Sequence, residues 1–367
     1  MSITWSQALG WRMRRQLLEP VGEESVAGVV GRLGAVPAMN EGSAELAVWV
    51  RRTRSRRGEL AHALAQGRVI TSFAFRGATH YLTPEDGGAY LALRASGRQW
   101  ELPSWQEHYG LEPADWPAFR EAVREALVGG PLTVAELGAV VTRTAAYRHL
   151  RPIFDGGADT LVKPLAWQGD LSIGPPRDGQ LTLQRLDDNP RWAGVWDVDE
   201  AGPHAIRSYL RAYGPATRDH VHHWLGNGLS AGRKRLDSWL ATLHDRMESV
   251  DVEGTDAYVL REDHDELMAS RPTDVVRLLP GHDQWVMGPG TKDEHVVPPA
   301  RRALITRRAN LVVAGGVVSG TWSARDTEVG VMWFAERGEP PREALHEEVT
   351  RLGTLLDRPL TPRVQTE

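Results

Sequence analysis

Two runs of cationic side chains are suited to chemistry with phosphates. Arg51, Arg52, Arg54, Arg56 and Arg57 crowd the end of one expected helix and the loop after it, and Arg233-Lys234-Arg235 opens another. Such groups neutralise backbone phosphates, which positions a protein on nucleic acid without reading its bases. They would equally serve as a solvated face, the first run complementing a helix C-terminus. His220, His222 and His223 raise the question of a metal. On a helix 220 and 223 share a face and 222 does not, and no carboxylate or cysteine completes a ligand set, so no metal is expected.

The chain has no cysteine, which excludes thiol nucleophiles, Cys-ligated zinc and iron–sulfur clusters. It carries no Walker loop, dinucleotide fingerprint or nucleophile elbow, so no cofactor is expected. Arg12, Arg14 and Arg15 near the start are followed by no continuous apolar run, and no segment approaches a membrane span. A cytoplasmic monomer without membrane contact is the expectation. The formal net charge is −5, but residues 1–100 hold 13 Lys and Arg against 8 Asp and Glu, whereas residues 101–200 hold 9 against 16. A positive N-terminal quarter on an acidic body suits a protein that meets phosphates with one face.

The elements that would position these groups are marked by a repeat. Gly130-Pro131-Leu132-Thr133-Val134-Ala135-Glu136-Leu137 matches Gly214-Pro215-Ala216-Thr217-Arg218-Asp219-His220-Val221. Each copy follows an amphipathic stretch, Trp116–Leu127 or Ala205–Ala212, and each threonine can cap the helix after it, with Glu136 completing a capping box. Each copy then runs into a hairpin pattern, Leu171–Gly174 with Gln180–Leu186, and Glu248–Val252 with Ala257–Leu260. Helices followed by a hairpin make a winged helix. The first hundred residues read similarly, with helices at Ser25–Leu33, Ser43–Arg54 and Gly58–Ala65, a cap at Thr4 with Gln7, an extended run at Val69–Phe75 and a helix start at Thr83-Pro84. From Thr273 the chain turns β-rich: Asp274–Leu279, Trp285–Met287, Leu311–Ala314, Val317–Thr321 and Glu328–Phe334. A closing helix at Pro341–Leu356 and a loose tail after Pro359 complete the reading. The fold class is α+β, with three winged-helix modules (1–100, with 101–197 and 198–272) on a β-rich scaffold (273–367).

Four segments, Arg76-Gly77-Ala78-Thr79-His80, Ala212-Tyr213-Gly214-Pro215-Ala216-Thr217, Leu278-Leu279-Pro280-Gly281-His282-Asp283 and Gly315-Gly316-Val317-Val318-Ser319-Gly320-Thr321-Trp322, stand in the order and spacing of one family. The chain resembles the AlkZ/YcaQ-type bacterial winged-helix DNA glycosylases, which release bulky N-alkylated purines and unhook interstrand crosslinks. The resemblance implies duplex DNA as partner, a C-shaped groove, Arg76 among the DNA contacts, and Asp283 and Gln284 lining the cleft.

That family carries Gln-x-Gln or Gln-x-Asp followed by Ala-x-Leu-Ala. Ala44, Leu46 and Ala47 align without a gap, which puts Pro37 and Met39 where the two polar residues belong. Pro37 has no polar side chain and Met39 only a weakly accepting thioether, so neither can aim a water. Asn40, Glu41 and His80 are the remaining candidates for catalysis. Asn40 is out of register and suits a cap, and His80 fits equally as a structural histidine. Three functions follow as expectations: a DNA glycosylase with an altered site, a binder or regulator that does not cleave, and a cleft turned to a small molecule.

Overall fold

The computed structural model describes residues 2–367; Met1 lies outside them. The fold is mixed α+β with several sheets. Contacts divide the chain into two compact units, one of Met1–Ala61, Ile206–Trp224 and Leu240–Glu367, the other of His62–Ala205 and Leu225–Trp239.

In the first unit, helix Trp5–Arg15 begins as expected: Thr4 accepts from the Gln7 N–H while the Gln7 side chain reaches back to the Thr4 N–H. Ser25 caps helix Val26–Leu33. The third helix departs from expectation. It spans Glu41–Trp49 and not Ser43–Arg54. It stops early because the chain turns to meet Gly22, whose N–H donates to the Arg51 carbonyl at 2.9 Å and whose carbonyl accepts from Thr53 at 2.9 Å.

Among the described residues, five strands form one sheet in the order Val276–Leu279, Asn310–Ala314, Val317–Arg325, Glu328–Trp333, Thr361–Thr366. Alternation along these strands builds two cores. Val276, Leu278, Val312 and Val331 pack with Leu345, Val349 and Leu352 of helix Arg342–Leu355. Leu279, Leu311, Val313 and Val318 pack with Leu9, Met13 and Trp285. Gly315 and Gly316, at φ 58° and 86°, make the expected tight turn.

Two expectations fail here. The tail after Pro359 is not loose: Thr361–Thr366 lies parallel to Glu328–Trp333, satisfying an edge that would otherwise be open. Trp285–Met287 is not a strand but part of helix Gln284–Met287. The Asp283 carboxylate accepts from the Trp285 N–H at 2.8 Å and starts that helix. A separate sheet joins Ser2–Ile3 to the hairpin Met247–Val252 and Thr255–Leu260.

In the second unit, helices Trp116–Ala126 and Val134–Val141 precede the hairpin Leu171–Arg177 and Gln180–Arg185. The Thr133–Glu136 capping box is present. Phe154 sits so close to Gly138 that a Cβ there would lie 2.3 Å from its own Cβ. A further hairpin, Ile70–Phe73 with Thr79–Leu82, leads into helix Pro84–Ala95, capped by Thr83. Among the described residues no helix is long and apolar enough to cross a membrane.

Candidate functional site

The segment Val36–Ala47 and the loop at Pro280–Asp283 face one another across a pocket of about 160 Å³ in the first unit. Its lining includes Pro37, Met39, Asn40 and Ser43 from one wall, and Gly281, His282, Asp283 and Arg308 from the other. Gly281 is required there, since a Cβ would stand 2.2 Å from the Arg308 carbonyl oxygen. His282 and Arg308 hold φ of 60° and 69°. Non-glycine residues adopt that region at a cost, and such strain gathers at functional sites.

A buried ion pair ties the two walls together. Arg51 donates from Nη1 to Asp283 Oδ2 at 2.8 Å and from Nη2 to Oδ1 at 2.6 Å, and Nη1 also reaches the Ala47 carbonyl at 2.7 Å. Arg51 is 0% exposed, so it has no surface to offer a phosphate, and the expectation of a DNA contact is corrected. The reason is its position just past the helix end, where the guanidinium satisfies a terminal carbonyl and a carboxylate at once. Asp283 does line the pocket, with a carboxylate fully engaged. Gln284 does not: it is buried, and its Oε1 faces the Tyr213 hydroxyl at 3.4 Å.

Pro37 and Met39 both line the pocket, Met39 at 48% exposure. The Arg308 guanidinium approaches Met39, with Nη2 at 3.5 Å from the thioether sulfur. Asn40 caps helix Glu41–Trp49 by accepting from the Ser43 N–H at 2.8 Å. Glu41 is exposed in that helix's first turn and stands outside the lining. His80 also stands outside it, buried against Phe75, with Nδ1 3.0 Å from the Ala78 carbonyl. Burial lowers its pKa to about 4, so at neutral pH it is an uncharged structural imidazole. Sequence reasoning missed Arg308 as a pocket residue; only the left-handed turn that aims it there reveals it. His282 lies inside the Leu278–Asp283 motif, and the fold makes it a pocket residue.

Among the other cations, Arg54, Arg56 and Arg57 are exposed. Arg52 is held, donating to the Glu24 carbonyl at 2.8 Å and pairing with Glu59. In the second unit Arg76 is exposed, as are Arg233, Lys234 and Arg235. The last three open helix Arg233–Thr242, where the helix dipole disfavours positive charge. Their placement therefore does not serve helix stability. His220 closes a capping box, its Nδ1 accepting from the Thr217 N–H at 3.2 Å, with Nε2 3.5 Å from Asp293.

Fold and site together define a mixed α+β protein with a small pocket of mixed lining and exposed cationic segments. The family described as DNA glycosylase AlkZ-like matches residues 30–355. The chain belongs to that family. It is similar to a Streptomyces sahachiroi protein named interstrand DNA cross-link repair glycosylase, 36% identical over 358 residues that make up 96% of each chain. The solved structure of the Streptomyces sahachiroi DNA glycosylase AlkZ matches with a TM-score of 0.94 at 34% identity over 100% of both chains.

Proposed function

We propose that this protein engages duplex DNA carrying bulky alkylated purines, as the repair of crosslinks in its relative suggests, and that it hydrolyses the N-glycosidic bond poorly. The reading includes three tandem winged-helix modules (1–100, 101–197, 198–272) on the scaffold 273–367. The capped helices ahead of hairpins 171–185 and 247–260 support it.

The observation that carries the reading is that Pro37 and Met39 line the pocket. An N7-alkylated purine is already cationic, so its departure needs little acid. The enzyme must instead stabilise oxocarbenium-like charge and aim a water at C1′. Pro37 and Met39 do neither, and the Arg308 guanidinium beside Met39 supplies a positive group and not a carboxylate. Water-positioning or general-base help is worth about 10²–10⁴-fold, which is the deficit expected here. Binding that shields an adduct without cleaving it is the second reading, favoured by the same two side chains. Turning the pocket to a small molecule has no comparable support.

The test is release of free N7-alkylguanine from an adducted oligonucleotide, alongside binding to the same duplex. The wild-type protein should bind and release slowly or not at all, and Pro37→Gln with Met39→Gln should raise release at least about 10²-fold. Efficient release by the wild type would refute the proposal of a disabled pocket. No gain in the double variant would mean that the pocket has diverged beyond those two positions.

A further inference from the structure

We infer that the second unit carries a phosphate-binding site of its own, centred on Arg94 and Lys163 at the Arg76-Gly77 turn, which seats the DNA backbone. This rests on the DNA-binding reading and adds to it residues that no sequence motif marks.

Arg94 is 8% exposed and, among the described residues, has no carboxylate partner. Its Nη1 donates to the Ser230 hydroxyl at 2.7 Å and its Nη2 to Gln99 Oε1 at 3.3 Å. The guanidinium carbon lies 4.1 Å from the centroid of the Trp167 ring, and Nε has no partner. These neutral neighbours aim the guanidinium without neutralising it. Burying an unpaired charge is expensive, and a protein keeps one where an anion arrives to compensate it. Burial accordingly lowers the Arg94 pKa with no opposing acid.

Lys163 stands beside it, with its ammonium 5.6 Å from the Phe73 ring centroid. Both cations converge on one point: a Cβ at Gly77 would lie 3.8 Å from Arg94 Nη2 and 4.0 Å from Lys163 Nζ. Two like charges held around a shared gap repel unless an anion sits between them. Arg76 and Gly77 both have left-handed φ, 55° and 68°, so the turn leaves that gap empty of side chain. The exposed Arg76 stands next to it.

The surroundings favour a polymer of phosphates over a single small anion. Ser230, which holds Arg94, lies three residues before Arg233-Lys234-Arg235. Arg235 Nη1 in turn donates to the Ser96 carbonyl at 3.2 Å, next to the end of helix Pro84–Ala95. Through Ser230 and Ser96, cations distant in sequence are thus tied to the neighbourhood of Arg94, so the gap between Arg94 and Lys163 has further positive charge beside it for neighbouring phosphates. No base reading is implied, because point charges and phosphate contacts carry no sequence information.

The test is duplex DNA binding by the full chain across about 50–200 mM salt, with melting temperature followed in parallel. Arg94→Gln and Lys163→Gln should each lower the slope of log affinity against log salt by about 1, uniformly across DNA sequences. The exposed Arg342→Gln should leave it unchanged. Lys163→Gln, at a half-buried position, decides the matter if Arg94→Gln unfolds the protein. Wild-type binding with an unaltered slope in Lys163→Gln would overturn the site while leaving the DNA-binding reading intact. Failure of the wild type to bind duplex DNA would overturn both.

Discussion

Arg51 and Arg54 are three residues apart and should behave as opposites. Removing one partner of a buried ion pair strands the other, which costs about 3–5 kcal/mol. Asp283→Ala should therefore destabilise the fold by that amount in urea denaturation, and Arg51→Gln by a similar amount. Arg51→Met combined with Asp283→Leu should recover much of the loss. Arg54→Gln, Arg56→Gln and Arg57→Gln should change stability by no more than about 0.5 kcal/mol and instead weaken duplex binding. If Arg51→Gln weakened DNA binding with stability intact, the structural role of Arg51 would be wrong.

The elements that frame these residues depend on short-range features with distinct costs. Thr133→Ala should cost about 1 kcal/mol, because it removes the acceptor for the Glu136 N–H and opens the capping box. Gly138→Ala should cost about 1–3 kcal/mol, since its methyl group meets the buried Phe154 and one of the two must shift. The two costs come from different sources, a lost hydrogen bond and overpacking. Only the second should be eased by a smaller residue at 154, and a double-mutant cycle with Phe154→Leu would show it.

At the scale of the whole molecule, two buried imidazoles contribute to the pH dependence of stability in one direction. His80 has a pKa of about 4 in the folded state against 6.5 ordinarily. Above pH 6.5 both states are neutral there and stability does not depend on this group. As pH falls from 6.5 towards 4 only the unfolded chain takes up the proton, so stability declines, by at most about 3 kcal/mol for this residue. Burial also lowers the pKa of His220, whose Nδ1 must stay unprotonated to accept from Thr217, so the two add in the same direction. Denaturation at pH 7, 5.5 and 4 should show the decline, and His80→Phe should flatten part of it. An equally steep profile in that variant would place the sensitivity elsewhere.

Features held within a few residues are legible without a structure: the caps at Thr4, Thr83, Thr133 and Thr217, the hairpins and the Gly315-Gly316 turn. Each follows from backbone geometry and hydrogen bonds that close over two to four positions, so spacing alone reveals them. Tertiary structure decided the rest. The carboxylate that claims Arg51 lies 232 residues away, so nothing local separates that arginine from Arg54. The tail becomes a strand only because a neighbour has an open edge. His80 loses its proton affinity because the fold removes water from around it. Arg94, Lys163 and Gly77 meet only when a helix end, a second helix and a left-handed turn pack together, and no periodicity or motif encodes that meeting.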